Sequence, residues 1–177
     1  MKKMIAMMMA LMLMVTAALP AMAEYLSFTQ RNFYGGQTLA VYQGPGTEYG
    51  RDGWAKASTD EPLYAAGQEN GWAMVMYSLN DGSSRVGWVD LSQFKYNTKQ
   101  LKLDNLYFEY RTAQISSLCS LTDDPVLFSR ETARLNAGTR VTYLGSFYKY
   151  RNWAYVETWV SGHPVRGFVP MECISLN

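Results

Sequence analysis

The chain is poor in the residues that catalysis and metal binding lean on. It has two cysteines and one histidine. A metal site of His and Cys ligands needs a cluster of them, which a lone His163 in a Gly-His-Pro turn cannot supply, so no metal or cofactor is expected. A thiol–histidine pair needs both groups on one preorganised scaffold. His163 on a turn and Cys173 at a strand end do not suggest one. Carboxylate pairs could be drawn from the 15 acidic residues, but units as small as those described below leave no room for a substrate cleft. The chain is therefore read as not an enzyme. Charge of one sign is also missing: 16 basic residues face 15 acidic ones. Such a balance creates no broad field to attract nucleic acid or an anionic membrane. Finally, no segment of ten or more residues in the body of the chain has apolar residues spaced at three and four, which argues against helices.

One apolar run does exist, at the start. Lys2 and Lys3 precede an apolar stretch from Met4 to Val15, Pro20 follows, and Ala21-Met22-Ala23 places small residues where signal peptidase reads. The stretch is shorter than the roughly 18 apolar residues a membrane span needs. Residues 1–23 are thus expected to be an export signal, cleaved before Glu24, with no integral span afterwards. The product would be secreted, extracellular or held in the cell envelope. Eight of the 11 methionines and two of the basic residues fall in that segment. The remainder is near-neutral and rich in aromatic and β-branched residues, with Gly, Asn and Asp between short runs, which reads as all-β.

A pattern then occurs twice. Gly71-Trp72-Ala-Met-Val, a turn, and Val86-Gly87-Trp88-Val89 return as Asn152-Trp153-Ala-Tyr-Val, a turn, and Arg166-Gly167-Phe168-Val169. Upstream, Tyr42 to Arg51 lies over Leu121 to Arg130. A repeat this long is a whole small domain. The expected division is an N-terminal segment 24–37 packing on the first unit, a first unit 38–96, a structured connection 97–112 and a second unit 113–177. Residues 95–115 contain neither Gly nor Pro, so the connection should hold the units in a fixed relation rather than string them loosely. Trp72 to Tyr77 should alternate, with Trp72, Met74 and Met76 on one face and Ala73, Val75 and Tyr77 on the other. Asn80-Asp81-Gly82 predicts a hairpin turn, and Ser161 to Pro164 its counterpart. Cys119 and Cys173 fall at the first and last strands of the second unit, commonly neighbours in a small barrel. An even count in an exported chain favours a disulfide, with two buried free thiols as the alternative.

Leu39-Ala-Val-Tyr-Gln-Gly-Pro-Gly-Thr-Glu-Tyr49, then Asn70-Gly71-Trp72 and Val86-Gly87-Trp88-Val89, resembles the bacterial Src-homology-3 (SH3) domain family. The second copy matches at Asn152-Trp153, at Gly167-Phe168-Val169 and more weakly at Leu121 to Pro125. The resemblance implies two tandem SH3-like small β-barrels, and a module that targets the cell wall or binds peptides. Lys-Gly is absent before the middle strand of the first copy, and Asp123-Asp124-Pro125 replaces Gly-Pro-Gly in the second.

Aromatic side chains commonly line peptide and glycan grooves. The candidate ligand-binding residues are Tyr42, Tyr49, Trp54 and Tyr77 in the first unit and Phe128, Tyr148, Tyr150 and Trp159 in the second. Trp72, Trp88, Trp153 and Phe168 are assigned to the fold. Asp123 and Asp124, with Asp60 and Glu61, could steer a basic ligand, and Lys149, Arg151 and Arg166 could meet a carboxylate. The expected partner is a peptide or cell-wall glycopeptide. The alternative is another extracellular protein, with the chain serving only in assembly.

Overall fold

The computed structural model describes residues 26–31, 36–58, 63–94, 102–125, 130–149 and 151–176. The expected signal segment, residues 97–101 of the connection, Asp60, Glu61, Phe128 and Tyr150 lie outside them. The described chain is all-β apart from two short 3-10 turns, Leu91–Gln93 and Met171–Cys173. No helix among the described residues is long and apolar enough to cross a membrane.

Strands β1 (Thr29–Arg31), β2 (Gln37–Tyr42), β3 (Arg51–Ala57), β4 (Leu63–Glu69), β5 (Trp72–Ser78) and β6 (Ser84–Asp90) form one antiparallel sheet in the order β1-β4-β5-β6-β2-β3. Strands β7 (Arg111–Ile115), β8 (Cys119–Thr122), β9 (Glu131–Leu135), β10 (Arg140–Lys149), β11 (Arg151–Val160), β12 (His163–Pro170) and β13 (Ile174–Leu176) form the second, in the order β13-β7-β10-β11-β12-β8-β9. With β13 set aside, the two orders are the same topology. Each sheet follows its last hairpin with a 3-10 turn. Among the described residues the end strands of neither sheet pair with each other, so each sheet is open there rather than the closed barrel expected.

Register corrects the overlay of the repeats. Tyr42 pairs with Trp88, and Thr122, not Leu121, pairs with Phe168. The two glycines explain why. A Cβ on Gly87 would sit 2.3 Å from Val41 and 3.3 Å from the Tyr42 carbonyl; one on Gly167 would sit 2.9 Å from Leu121 and 2.7 Å from the Thr122 carbonyl. Each glycine lets one strand cross closely over another. Tyr42 is therefore equivalent to Thr122, and Gln43-Gly44-Pro45 to Asp123-Asp124-Pro125. The overlay matches Arg51, the first residue of β3, with Arg130, whereas β9 starts one residue later at Glu131. The second hairpin is also tighter than expected. Its turn is Ser161-Gly162 alone, both at positive φ (51° and 89°), and His163 already pairs with Val160. Two left-handed residues suit a two-residue hairpin.

The alternation in β5 holds, and both faces are buried. Ala73, Val75 and Tyr77 enter the first core with Leu39, Val41, Leu63 and Val89. Met74, with Trp72 and Met76 against it, enters a third cluster between the sheets, with Trp88, Leu144, Trp153, Tyr155 and Phe168. The second sheet has its own core around Ile115, Leu121, Val156 and Val169. The connection spans both units. Leu103 lies in the first core; Gln68 N–H donates to the Asp104 carbonyl (2.9 Å), Leu106 N–H to Gln68 (2.8 Å) and Glu109 N–H to Leu144 (2.9 Å). The N-terminal segment differs from expectation by touching both units. Its strand β1 pairs with β4, while Leu26 N–H donates to Ser146 and Phe28 packs edge-on against Phe147.

Cys119 and Cys173 are buried free thiols rather than a disulfide. The first and last strands of the unit, β7 and β13, do pair, but Cys119 lies on the second strand, β8, and Cys173 in the 3-10 turn before β13. The thiols meet inside the second core, where they hydrogen-bond, and burial pushes Cys119 up to about 12.

Candidate functional site

Of the candidate aromatics, Tyr49 lies in the contact between the two units. The contact between the sheets is close to two-fold symmetric. Val86 N–H donates to the Asp123 carbonyl and Arg166 N–H to the Gln43 carbonyl, both at 2.8 Å. Val86 and Arg166 are equivalent positions in the two repeats, as are Gln43 and Asp123. Around this pair, the Trp88 indole N–H donates to the Tyr155 hydroxyl at 2.9 Å, and Tyr155 lies 4.8 Å from the Phe168 ring.

Arg166 sits at the centre, with its side chain only 3% exposed. Its Nε donates to Glu157 at 2.7 Å and its Nη1 to Glu69 at 2.5 Å. Tyr49 donates to Glu157 at 2.6 Å, and Tyr110 donates to Glu69. The guanidinium also lies 5.3–5.4 Å from the rings of Phe108, Trp88 and Tyr49. Its charge is thus neutralised by carboxylates from both units and sheathed in aromatic rings. Burial opposes the charge, but Glu69 and Glu157 more than offset this and hold Arg166 protonated at every accessible pH. Arg166 is spoken for, and the expectation that it meets a ligand carboxylate is corrected.

The other charged candidates fare similarly. Asp123 is buried, with Arg130 at 3.0 Å and Arg85 at 3.4 Å, and Arg130 also pairs with Asp52. Burial raises the Asp123 carboxyl more than these arginines lower it. Asp124 is buried too, so neither aspartate is placed to steer a ligand. Arg151 pairs with Glu172 at 3.1 Å and stacks over Trp153 at 4.4 Å.

The aromatic candidates then divide. Tyr77 is buried in the first core, and burial pushes its hydroxyl up to about 12. It shares the core face of β5 with Ala73 and Val75, so it is not available to a ligand. Tyr49 is buried over Gly44 in the contact between units. Tyr42 is half-buried, edge-on to Trp72 at 5.1 Å. Trp72 is itself half-buried, while Trp88, Trp153 and Phe168 are buried.

Three candidates face solvent: Trp54 at 57% exposure, Tyr148 at 63% and Trp159 at 72%. They form no single patch that the described contacts join. Trp54 lines a groove with Thr38, Lys56, Ser78, Leu79 and Asn80. Its geometry follows from the pleat. Thr38 and Ala40 of β2 lie opposite Lys56 and Trp54 of β3, and their small side chains leave the indole and the lysine stem uncovered. Arg51 lays its guanidinium 3.6 Å over the indole. Tyr107, exposed at the rim of a cleft lined by Leu26, Ala66, Leu106 and Gly145, was missed. Alternation along Leu106-Tyr107-Phe108, with its neighbours inward, was the available signal.

Comparison with family models and with curated proteins finds no match. Among solved structures, the chain is similar to NlpC2 and NlpC1 from Trichomonas vaginalis. Each is 14% identical, with TM-scores of 0.32 and 0.33, over 87% and 89% of this chain and 50% and 49% of theirs. The chain spans about half the length of those two structures.

Proposed function

We propose that the chain is an exported, non-catalytic binding module of two SH3-like units that recognises a peptide or a cell-wall component through the groove at Trp54. The observation that carries this reading is the exposure of Trp54. Most of the other large aromatics of the first unit pack into a core or the contact between units. The Trp54 indole stands more than half exposed beside small residues on an end strand, with only Arg51 laid over it. Binding is the use such a surface has, since aromatic rings at rigid, concave positions dominate recognition.

Sedimentation with purified peptidoglycan, together with titration against peptides, tests the proposal. Binding that Trp54→Ala weakens tenfold or more, without loss of the folded circular-dichroism spectrum, supports it. A chain that stays in the supernatant and binds no peptide, but co-purifies in fixed stoichiometry with another exported protein, favours assembly instead.

A further inference from the structure

The end strand β3 assigns the ligand a class, and this inference rests on the binding reading above: we propose that the free edge of β3 beside Trp54 takes an acidic peptide segment in extended form, added as a strand along β3. Three observations converge on it. First, β3 ends the six-stranded order, and no described strand pairs with its outer side. Its seven residues therefore offer unpaired backbone groups of the kind that strand addition uses. Second, the charge is one-sided. Arg51 and Lys56 are exposed and make no ion pair among the described residues, while Asp52 between them is bound to Arg130, its side chain 4% exposed. Among the described residues, no carboxylate lines the neighbouring groove. Third, Arg51 already covers one face of the indole. A peptide carboxylate arriving on this edge therefore meets a guanidinium held in place beside the aromatic anchor.

The spacing defines the pattern. Trp54 and Lys56 are two apart on the outer face, so a strand pairing with β3 places alternate residues against them, about 5 Å away between Cβ atoms. A carboxylate opposite Lys56, an apolar or aromatic residue opposite Trp54 and a second carboxylate towards Arg51 complete the face. The segment would read acid, any residue, aromatic, any residue, acid.

The test uses the full chain with three capped peptides: Thr-Glu-Thr-Tyr-Thr-Glu-Thr and its versions with Gln or Lys in place of Glu. Calorimetry should give binding at least tenfold tighter for the Glu peptide than for the Gln one, falling with salt, and none for Lys. Lys56→Glu, at an exposed position that the fold does not need, should reverse the order of Glu and Lys. Amide shifts in nuclear magnetic resonance should concentrate on β3. Equal binding of all three peptides, lost in Trp54→Ala, overturns the acidic class but leaves the binding module standing. Trp54-dependent sedimentation with peptidoglycan and no peptide binding overturns strand addition alone. Dimerisation through β3, abolished by Trp54→Ala, overturns it in favour of a second copy. Absence of any Trp54-dependent binding overturns both this inference and the function it rests on.

Discussion

At the scale of single residues, exposure separates the tryptophans into two kinds. Trp54→Ala should cost less than about 1 kcal/mol of stability, as exposed substitutions usually do. Trp88 is 1% exposed and hydrogen-bonded. Its replacement by Ala should cost roughly 3–5 kcal/mol, read by urea unfolding. Tyr155→Phe isolates the polar part: it strands the Trp88 N–H without a buried acceptor, at about 1–3 kcal/mol. The tyrosines also predict a response to alkali. Burial raises Tyr49, Tyr77 and Tyr155, and for Tyr49 the bond to Glu157 adds to it. Their neutral form is the one the fold accommodates. In the unfolded chain they release protons near the ordinary tyrosine value of 10.0. The stability they confer is therefore complete below about pH 10 and is lost as pH rises through the folded values, about 12 for Tyr77. Tyrosinate absorbance should rise in two steps: exposed tyrosines first, then a steep step coinciding with loss of folded signal. A single smooth titration centred near pH 10 would contradict the burial.

At the scale of elements, Gly167 sets the crossing of β12 over β8. Gly167→Ala drives a Cβ into the Thr122 carbonyl at 2.7 Å, and backbone cannot swing aside as a side chain can. A cost of about 1–3 kcal/mol is expected. Gly145→Ala, where nothing lies within 4 Å of the added carbon, is the matched control. How much was legible follows the same division. The β5 alternation and the two late hairpins are local patterns, and the residues alone place them to within two positions. The doubled motif likewise announces two copies of one topology. The pairing of β8 with β12 is set by a contact between distant strands, so overlaying Leu121 on Tyr42 slipped by one. Sequence also could not show that the second face of β5 is buried. Met74 and Tyr155 occupy equivalent places and differ in kind, because each is shaped by its partner across the contact rather than by its own strand. Of the six candidate aromatics among the described residues, three are exposed and Trp54 lines a groove, since periodicity distinguishes inside from outside on a sheet but not solvent from a second sheet.

At the scale of the whole molecule, that shared contact decides how the chain unfolds. Each unit alone would expose its half of the third cluster, Met74 and Trp88 on one side, Leu144, Trp153, Tyr155 and Phe168 on the other. Units of this size have little stability to spare, and the loss of several buried aromatics exceeds what either core can offset. Arg166 adds a second coupling, because its two carboxylate partners come from different units. Removing one member of a buried ion network leaves the rest uncompensated, at about 3–5 kcal/mol. Arg166→Leu should therefore lower the stability of both units together. Trp153→Ala should do the same, although its backbone belongs to the second unit alone. Calorimetry of the full chain should show one transition whose calorimetric and van't Hoff enthalpies agree, and each substitution should shift that transition without splitting it. Two resolved transitions, with Trp153→Ala moving only one, would mean that the units stand independently and that the aromatic contact between them contributes little.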